Sequence, residues 1–270
     1  LAPTVAEHRF RAMGTDVHVI VVDGTDAHLQ QAERAVRNRE ARWSRFRPDS
    51  ELSVVNASAG RPVIVSADTF DLVAWAIDAW AATAGAFDPT VLSCLVAAGY
   101  DRSFEQIAHG EGTSAPTPAP VPAPGPAGVA LDRTSCAIRL PRGVGLDLGG
   151  IAKGAAADAV VAEVLAAGAE GCCVNIGGDL RVEGRPPSQQ WVVDLDCPGA
   201  AGPDRPRVGL ASGAVCTSTT RKRSWIHERL GPQHHLRQPS TGHPLDTGVS
   251  TVTVISARAT QAEVLAKAAL

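Results

Sequence analysis

The stretch "GLDLGGIAKG" places Asp147 ahead of Gly149 and Gly150, then Lys153. Glycines let a phosphate approach the main chain, free amides at a helix start attract anions, and a first-turn lysine adds a mobile cation. The spacing is neither a P-loop nor a GxGxxG fingerprint, so it reads as an anion site or as a glycine turn with Lys153 facing solvent. A second pair, Gly177 and Gly178, lies between Asn175 and Asp179, where a hairpin turn serves as well as a ligand contact. "GAFDPTV" sets Phe87 and Asp88 before Pro89 in a turn. His234 and His235 would face opposite sides of a strand, so they do not suit one metal. One of them could still act as a base, since imidazole titrates near about 6.5. In the terminal "QAEVLAKAAL", Glu263 and Lys267 stand four apart, neighbours on a helix. They are either a surface ion pair or the altered remains of a charged site.

These residues need elements to hold them. "HRFRAMGTDVHVIVV" alternates apolar and polar residues around Gly14 and predicts a hairpin or bent strand. Helical spacing predicts a helix over Asp26 to Arg45, a short one near Leu52 to Asn56, and one capped by Ser66 and closed at Gly85. A further helix is predicted from about Ile151 to Ala167, where Lys153 falls in the first turn. Strands are predicted at Val129 to Arg139, Cys172 to Ile176, Asp179 to Glu183, Trp191 to Asp196, Gly213 to Thr217, around His234 to Arg237, and at Val249 to Ser256. Strands outnumber helices without strict alternation, which is an α+β pattern.

The chain has 270 residues, enough for one large domain or two intimate lobes. Its net charge of -3, with dispersed Lys and Arg, leaves no electrostatic footprint for nucleic acid. The one compact basic run, Arg221 to Arg223, reads as a solvated turn or an anion contact. No run of roughly 18 apolar residues suggests a membrane span. Six cysteines without zinc or disulfide spacing read as reduced thiols, which favours a cytoplasmic setting. The first residue is Leu, so a removed leader is compatible with an extracytoplasmic place, or with membrane association through that segment. Ser114 to Gly128 holds six prolines and little bulk, and is expected to be an exposed, flexible segment.

In order, "AMGT", "SRFRPDSELSVVN", "GAFDPTV", "LDLGGIAKG", "VNIGGD", "CTST", "PSTG" and "AEVLAKAAL" resemble the ApbE family, the FAD:protein FMN transferases. The resemblance runs from about Phe10 to Leu270. It implies one α+β domain over residues 1–270, built of tunnelling-fold-like mixed sheets with flanking helices in two intimate lobes, with the Pro-rich loop at 114–128. Enzymes of this family split FAD at its pyrophosphate, pass FMN to a threonine hydroxyl of a target flavoprotein, and release AMP, using magnesium. The implied flavin contacts are Met13 and Phe46. Ala86, Phe87 and Asp88 correspond to the loop that holds the nucleotide, while Asp147, Lys153 and Arg237 complete the cofactor set. Lys153 and His235 are the implied catalytic residues, one toward the phosphates and the other taking the acceptor's proton.

The implied magnesium ligands are the Gly150 carbonyl, an aspartate and a threonine. Here Glu263 stands for the aspartate and Lys267 for the threonine. Magnesium demands near-octahedral oxygen geometry at roughly 2.0–2.1 Å, and a protonated lysine offers no lone pair. Gln238 and Thr219 also depart from the family's usual aspartate and glycine. Three readings follow: a transferase with an altered metal site, an FAD-binding protein that has lost transfer, or a hydrolase giving FMN and AMP.

Overall fold

The computed structural model describes residues 2–58, 60–108, 120–197, 199 and 204–270. Along the chain run β1 (Val5–Ala12), β2 (Thr15–Val22), α1 (Asp26–Trp43), α2 (Glu51–Ala57), β3 (Val63–Ile64), α3 (Ala67–Ala82), α4 (Leu92–Ala97) and α5 (Phe104–Ala108). Then come β4 (Ala130–Asp132), β5 (Ala137–Arg139), α6 (Ala152–Ala166), β6 (Gly171–Ile176), β7 (Asp179–Gly184), β8 (Trp191–Asp194) and β9 (Arg207–Leu210). The last elements are β10 (Gly213–Thr219), β11 (Ser224–His227), β12 (Gly231–His234), β13 (Thr251–Ser256) and α7 (Ala259–Ala268). The α+β class expected from the sequence is the observed one. No described helix is long and apolar enough to cross a membrane.

The chain divides into two compact units, the first made of Leu1–Glu40, Ile151–Ser218 and Thr251–Ala266, the second of Ala41–Gly150, Thr219–Ser250 and Lys267–Leu270. The first is built on a six-stranded sheet in the order β1-β2-β6-β7-β10-β13. Strands β1 and β2 pair to the tip, Ala12 opposite Thr15, across Met13 (φ 53°) and Gly14 (φ 65°). Left-handed backbone at both turn residues matches the right-handed twist of the strands, which is why such primed turns close tight hairpins. Val17, Val19 and Val21 bury one face of β2, as its alternation requires. Strand β6 is buried nearly throughout, and the alanine-rich α6 packs against β6 and β7. Small side chains allow that close approach, and Gly154 marks its limit: a Cβ there would lie 2.4 Å from the Ala259 carbonyl of α7. Burial raises the thiol pKa of Cys172 and pushes that of Cys173 up to about 12, so both are inert core residues.

In the second unit, Ser50 and Ser66 cap α2 and α3 by accepting the Ser53 and Thr69 amides. A three-stranded sheet, β3-β5-β4, and the β11-β12 hairpin complete it. The predicted strand around His234 to Arg237 is corrected: β12 ends at His234, and Arg237 makes only an isolated bridge to Pro244. Pro239 follows, and a residue without an amide donor cannot extend a ladder. The expected start of the last strand at Val249 moves to Thr251. Arg221 to Arg223 form the exposed turn leading into β11. Of the Pro-rich stretch, Ser114 to Ala119 lie outside the described residues. Beyond them, Ala123 donates to the Pro239 carbonyl and Gly125 to the Thr90 hydroxyl.

Candidate functional site

The segment from Gly145 to Lys153 contributes to both units, Gly145 to Gly150 to the second and Ile151 to Lys153 to the first. In the second unit, Asn56 of α2 fixes the extended loop segment that carries Asp147. Its side-chain amide donates to the Leu146 carbonyl at 2.9 Å, and its oxygen accepts the Leu146 amide at 2.7 Å. The Asp147 amide donates to the Pro89 carbonyl at 2.8 Å, tying this segment to the "AFDPT" loop. Within that loop, Asp88 accepts the Thr90 amide and hydroxyl at 2.7 and 2.6 Å. That Asx turn presents Ala86 to solvent and buries Phe87.

The Asp147 carboxylate is engaged twice inside its own unit. One oxygen accepts the Gly149 amide at 2.8 Å, and the other meets Arg45 Nε at 2.5 Å. Arg45 was not singled out in the sequence, although it opens "RFRPDS". Its guanidinium lies 4.1 Å from the Phe46 ring centroid and 4.7 Å from that of Tyr100, and Tyr100 continues to Trp225 at 5.4 Å. The result is a ladder of three rings, Phe46, Tyr100 and Trp225, flanked by arginines. Trp225 is fixed by donating its indole N–H to the Ala98 carbonyl at 2.9 Å. Phe46 is the exposed end, at 38 %.

Arg237 sits 5.8 Å from the Trp225 centroid, 7 % exposed. It donates through Nη1 to Gln233 at 2.8 Å, while Nε and Nη2 have no hydrogen-bond partner among the described residues. Burial lowers its pKa to about 10, which still leaves it charged at neutral pH. A buried guanidinium with two open donors and Arg45 with an open Nη2 form an arrangement suited to an anion beside stacked rings. His234 bonds the Leu245 carbonyl and the Leu236 amide, so its ring serves the loop, and the half-buried His235 follows directly.

Gly150 ends this unit's share of the segment. A Cβ there would meet the Phe87 ring at 2.7 Å and the Cδ and Cε of Lys267 at 3.2 and 3.5 Å. Glycine is therefore required where the aromatic ring and the lysine stem converge.

In the first unit, α6 opens at Ala152 without a side-chain cap. Lys153 lies in its first turn, as expected, and its ammonium is bracketed by two carboxylates. It donates to Asp179 in a short contact and to Glu263 at 2.7 Å. The second Glu263 oxygen accepts the Gly154 amide at 2.8 Å. The anion at this helix start is thus supplied by Glu263 of α7, which is fully buried. Burial opposes the ammonium charge, but Asp179 and Glu263 outweigh it and raise the Lys153 pKa above its ordinary value. Asp158 fixes α7 by accepting the Ala259 and Thr260 amides, both at 2.9 Å. Gly177 and Gly178 form the β6–β7 turn, both at positive φ, and the Gly178 amide is held by Asn175 at 2.9 Å. Met13 occupies its own left-handed turn, its amide donating to Glu40 at 2.6 Å.

The residues at the implied metal position do not fit a magnesium ion. Glu263 gives both oxygens to donors within its unit, and the threonine position carries a lysine whose stem runs along Gly150. No group of three or more His, Cys, Asp or Glu suited to a metal occurs among the described residues.

The model of the ApbE family matches residues 13–270. FAD:protein FMN transferases from Treponema pallidum and Klebsiella pneumoniae are each 29% identical. Each match covers 90% of this chain, with 70% and 75% of the respective relative. Among solved structures, the ApbE protein of Thermotoga maritima superposes with a TM-score of 0.81 at 29% identity, over 98% of this chain and 86% of that one. The apo flavinyl transferase ApbE of Pseudomonas stutzeri shares the fold at a TM-score of 0.79 and 24% identity, over 98% of this chain and 84% of that one.

Proposed function

Because the chain belongs to the ApbE family, we propose that it is an FAD:protein FMN transferase, moving FMN from FAD to a threonine of a target flavoprotein with release of AMP. The observation that carries this reading is the ring ladder of Phe46, Tyr100 and Trp225 with the open guanidinium donors of Arg45 and Arg237 in the same unit. Flat aromatic surface and buried positive charge together are what a flavin nucleotide requires. The glycines at 149 and 150 and the ordered Ala86–Asp88 turn suit the nucleotide's phosphates, and the Met13 thioether suits a ring face.

The reaction is a phosphoryl transfer. The threonine oxygen forms a bond to the phosphorus of the FMN half, and the bond from that phosphorus to the bridging oxygen breaks. AMP departs with the electron pair, and the hydroxyl proton passes to the imidazole of His235, acting as general base. Asp147 acts by holding Arg45, and Lys153 by fixing the start of α6. Incubation with FAD and an acceptor domain bearing a threonine site tests the proposal. AMP and a fluorescent acceptor band on a denaturing gel are expected to appear together. FMN and AMP without a labelled acceptor would instead identify a hydrolase. A second reading, an FAD-binding protein without transfer, is favoured by the commitment of Glu263 to Lys153 and Gly154, and would give bound FAD with neither product.

A further inference from the structure

We infer that the segment Val121–Gly125 is a strap that keeps the Asp88–Thr90 and Pro239–Gly242 loops in register for FAD, with Thr90 as its positioning residue. The inference rests on the flavin reading above and deepens it. Every group it uses lies in the second unit.

The strap is stiff by its own chemistry. In "VPAPGP", Val121 to Pro126, every second residue is proline, which fixes its own φ and pushes Val121 and Ala123 toward extended backbone. Ordering such a segment therefore loses little chain entropy. Val121, Pro122 and Pro124 are exposed, so apolar burial does little to hold it. Main-chain bonds do that instead. The Val121 carbonyl accepts the Cys94 thiol at 3.1 Å, the Ala123 amide donates to the Pro239 carbonyl at 2.8 Å, and the Gly125 amide donates to the Thr90 hydroxyl at 2.9 Å. Proline leaves amide donors only at alternate residues, and those of Ala123 and Gly125 go to different loops.

Each loop carries or adjoins a residue assigned to the nucleotide. Thr90 is 1 % exposed, and its hydroxyl donates onward to Asp88 at 2.6 Å, so the Gly125 amide, the Thr90 hydroxyl and the Asp88 carboxylate form one chain. Hydrogen bonds linked in this way polarise and strengthen one another. On the other side, Pro239 stands shortly after Arg237, in a turn closed by the Thr241 and Gly242 amides on the Gln238 carbonyl. A Cβ at Gly242 would stand 2.2 Å from the Val121 carbonyl oxygen, so loop and strap meet main chain to main chain. Asp88 and Arg237 are thereby referred to one stiff segment, and displacing it disturbs both.

FAD affinity, measured by quenching of flavin fluorescence well below each variant's melting temperature, tests this without depending on turnover. Thr90→Val keeps the side chain's shape and removes its hydroxyl, and Ala123→Pro deletes one amide donor from a segment already rich in proline. Each is expected to weaken FAD binding about fivefold, the size of one neutral hydrogen bond lost. Thr90→Ser is expected to restore the wild-type value. Because both changes release the same strap, the double variant should bind within about twofold of the weaker single one, where independent sites would multiply their losses. Should Thr90→Val not fold, Ala123→Pro at its half-buried position decides the matter alone. Folded variants that bind FAD as the wild type does, or losses that multiply, would overturn the inference and leave the flavin reading standing. No FAD binding by the wild type would overturn both.

Discussion

Met13 is a residue whose backbone and side chain make opposing demands. A non-glycine residue in the left-handed region costs about 1–2 kcal/mol, more than the roughly 0.5–1 kcal/mol of extra chain entropy that glycine loses on folding. Met13→Gly should therefore raise stability by up to about 1 kcal/mol in a urea titration, while FAD affinity falls several-fold with the thioether gone. Unchanged affinity would remove Met13 from the flavin contacts. His234 sets a pH limit of a different kind. Burial, more than the neighbouring Arg237, holds its pKa below the ordinary value, against the pull of the Leu245 carbonyl and Asp246. The unfolded chain then binds the proton more readily, so stability is full above about pH 6.5 and declines as pH falls toward the folded value. Thermal melts of the wild type should drop over that window, and those of His234→Gln should drop less.

At the scale of elements, α6 is held at its start by Glu263 and along its length by close approach to α7. Alanine is the better helix former by about 0.8–1 kcal/mol, yet a Cβ at position 154 would meet the Ala259 carbonyl at 2.4 Å. Overpacking of this kind costs about 1–3 kcal/mol, so Gly154→Ala should be net destabilising in chemical denaturation. A neutral or stabilising result would show that α7 can shift at little cost. Asn56 does the corresponding work for the loop segment of Asp147. Asn56→Ala leaves the buried Leu146 amide and carbonyl without their partner, at about 2–4 kcal/mol, and should loosen FAD binding as well. These two residues show what the sequence discloses and what it hides. The periodicity of α1, α3 and α6 and the alternation of β2 were readable because hydrophobic faces repeat along the chain. Asn56 and Arg45 gave no such signal, since their partners Leu146 and Asp147 are about a hundred positions away. The short α4, α5, β3, β9 and β11 escaped because a few residues carry too little pattern to separate from turns. Lys153 was legible as a first-turn lysine, but its pairing with Asp179 and Glu263 depends on three elements meeting.

For the whole molecule, family membership and α+β architecture stand on a match from residue 13 to residue 270 and on superposition with the Thermotoga maritima protein. The chemistry stands on fewer residues, and of the four expected departures from the family pattern, Glu263 and Lys267 lie on α7 while Thr219 and Gln238 do not. The proposed function gives the nucleotide to Arg45, Arg237 and the glycine main chain at 149 and 150. Its central claim is transfer of FMN, and intact mass spectrometry of an acceptor domain tests that most directly. After incubation with the protein and FAD, the acceptor should gain the mass of one FMN less one water, with AMP in equal amount. An acceptor of unchanged mass, with FAD recovered whole in both magnesium and EDTA, would contradict the account.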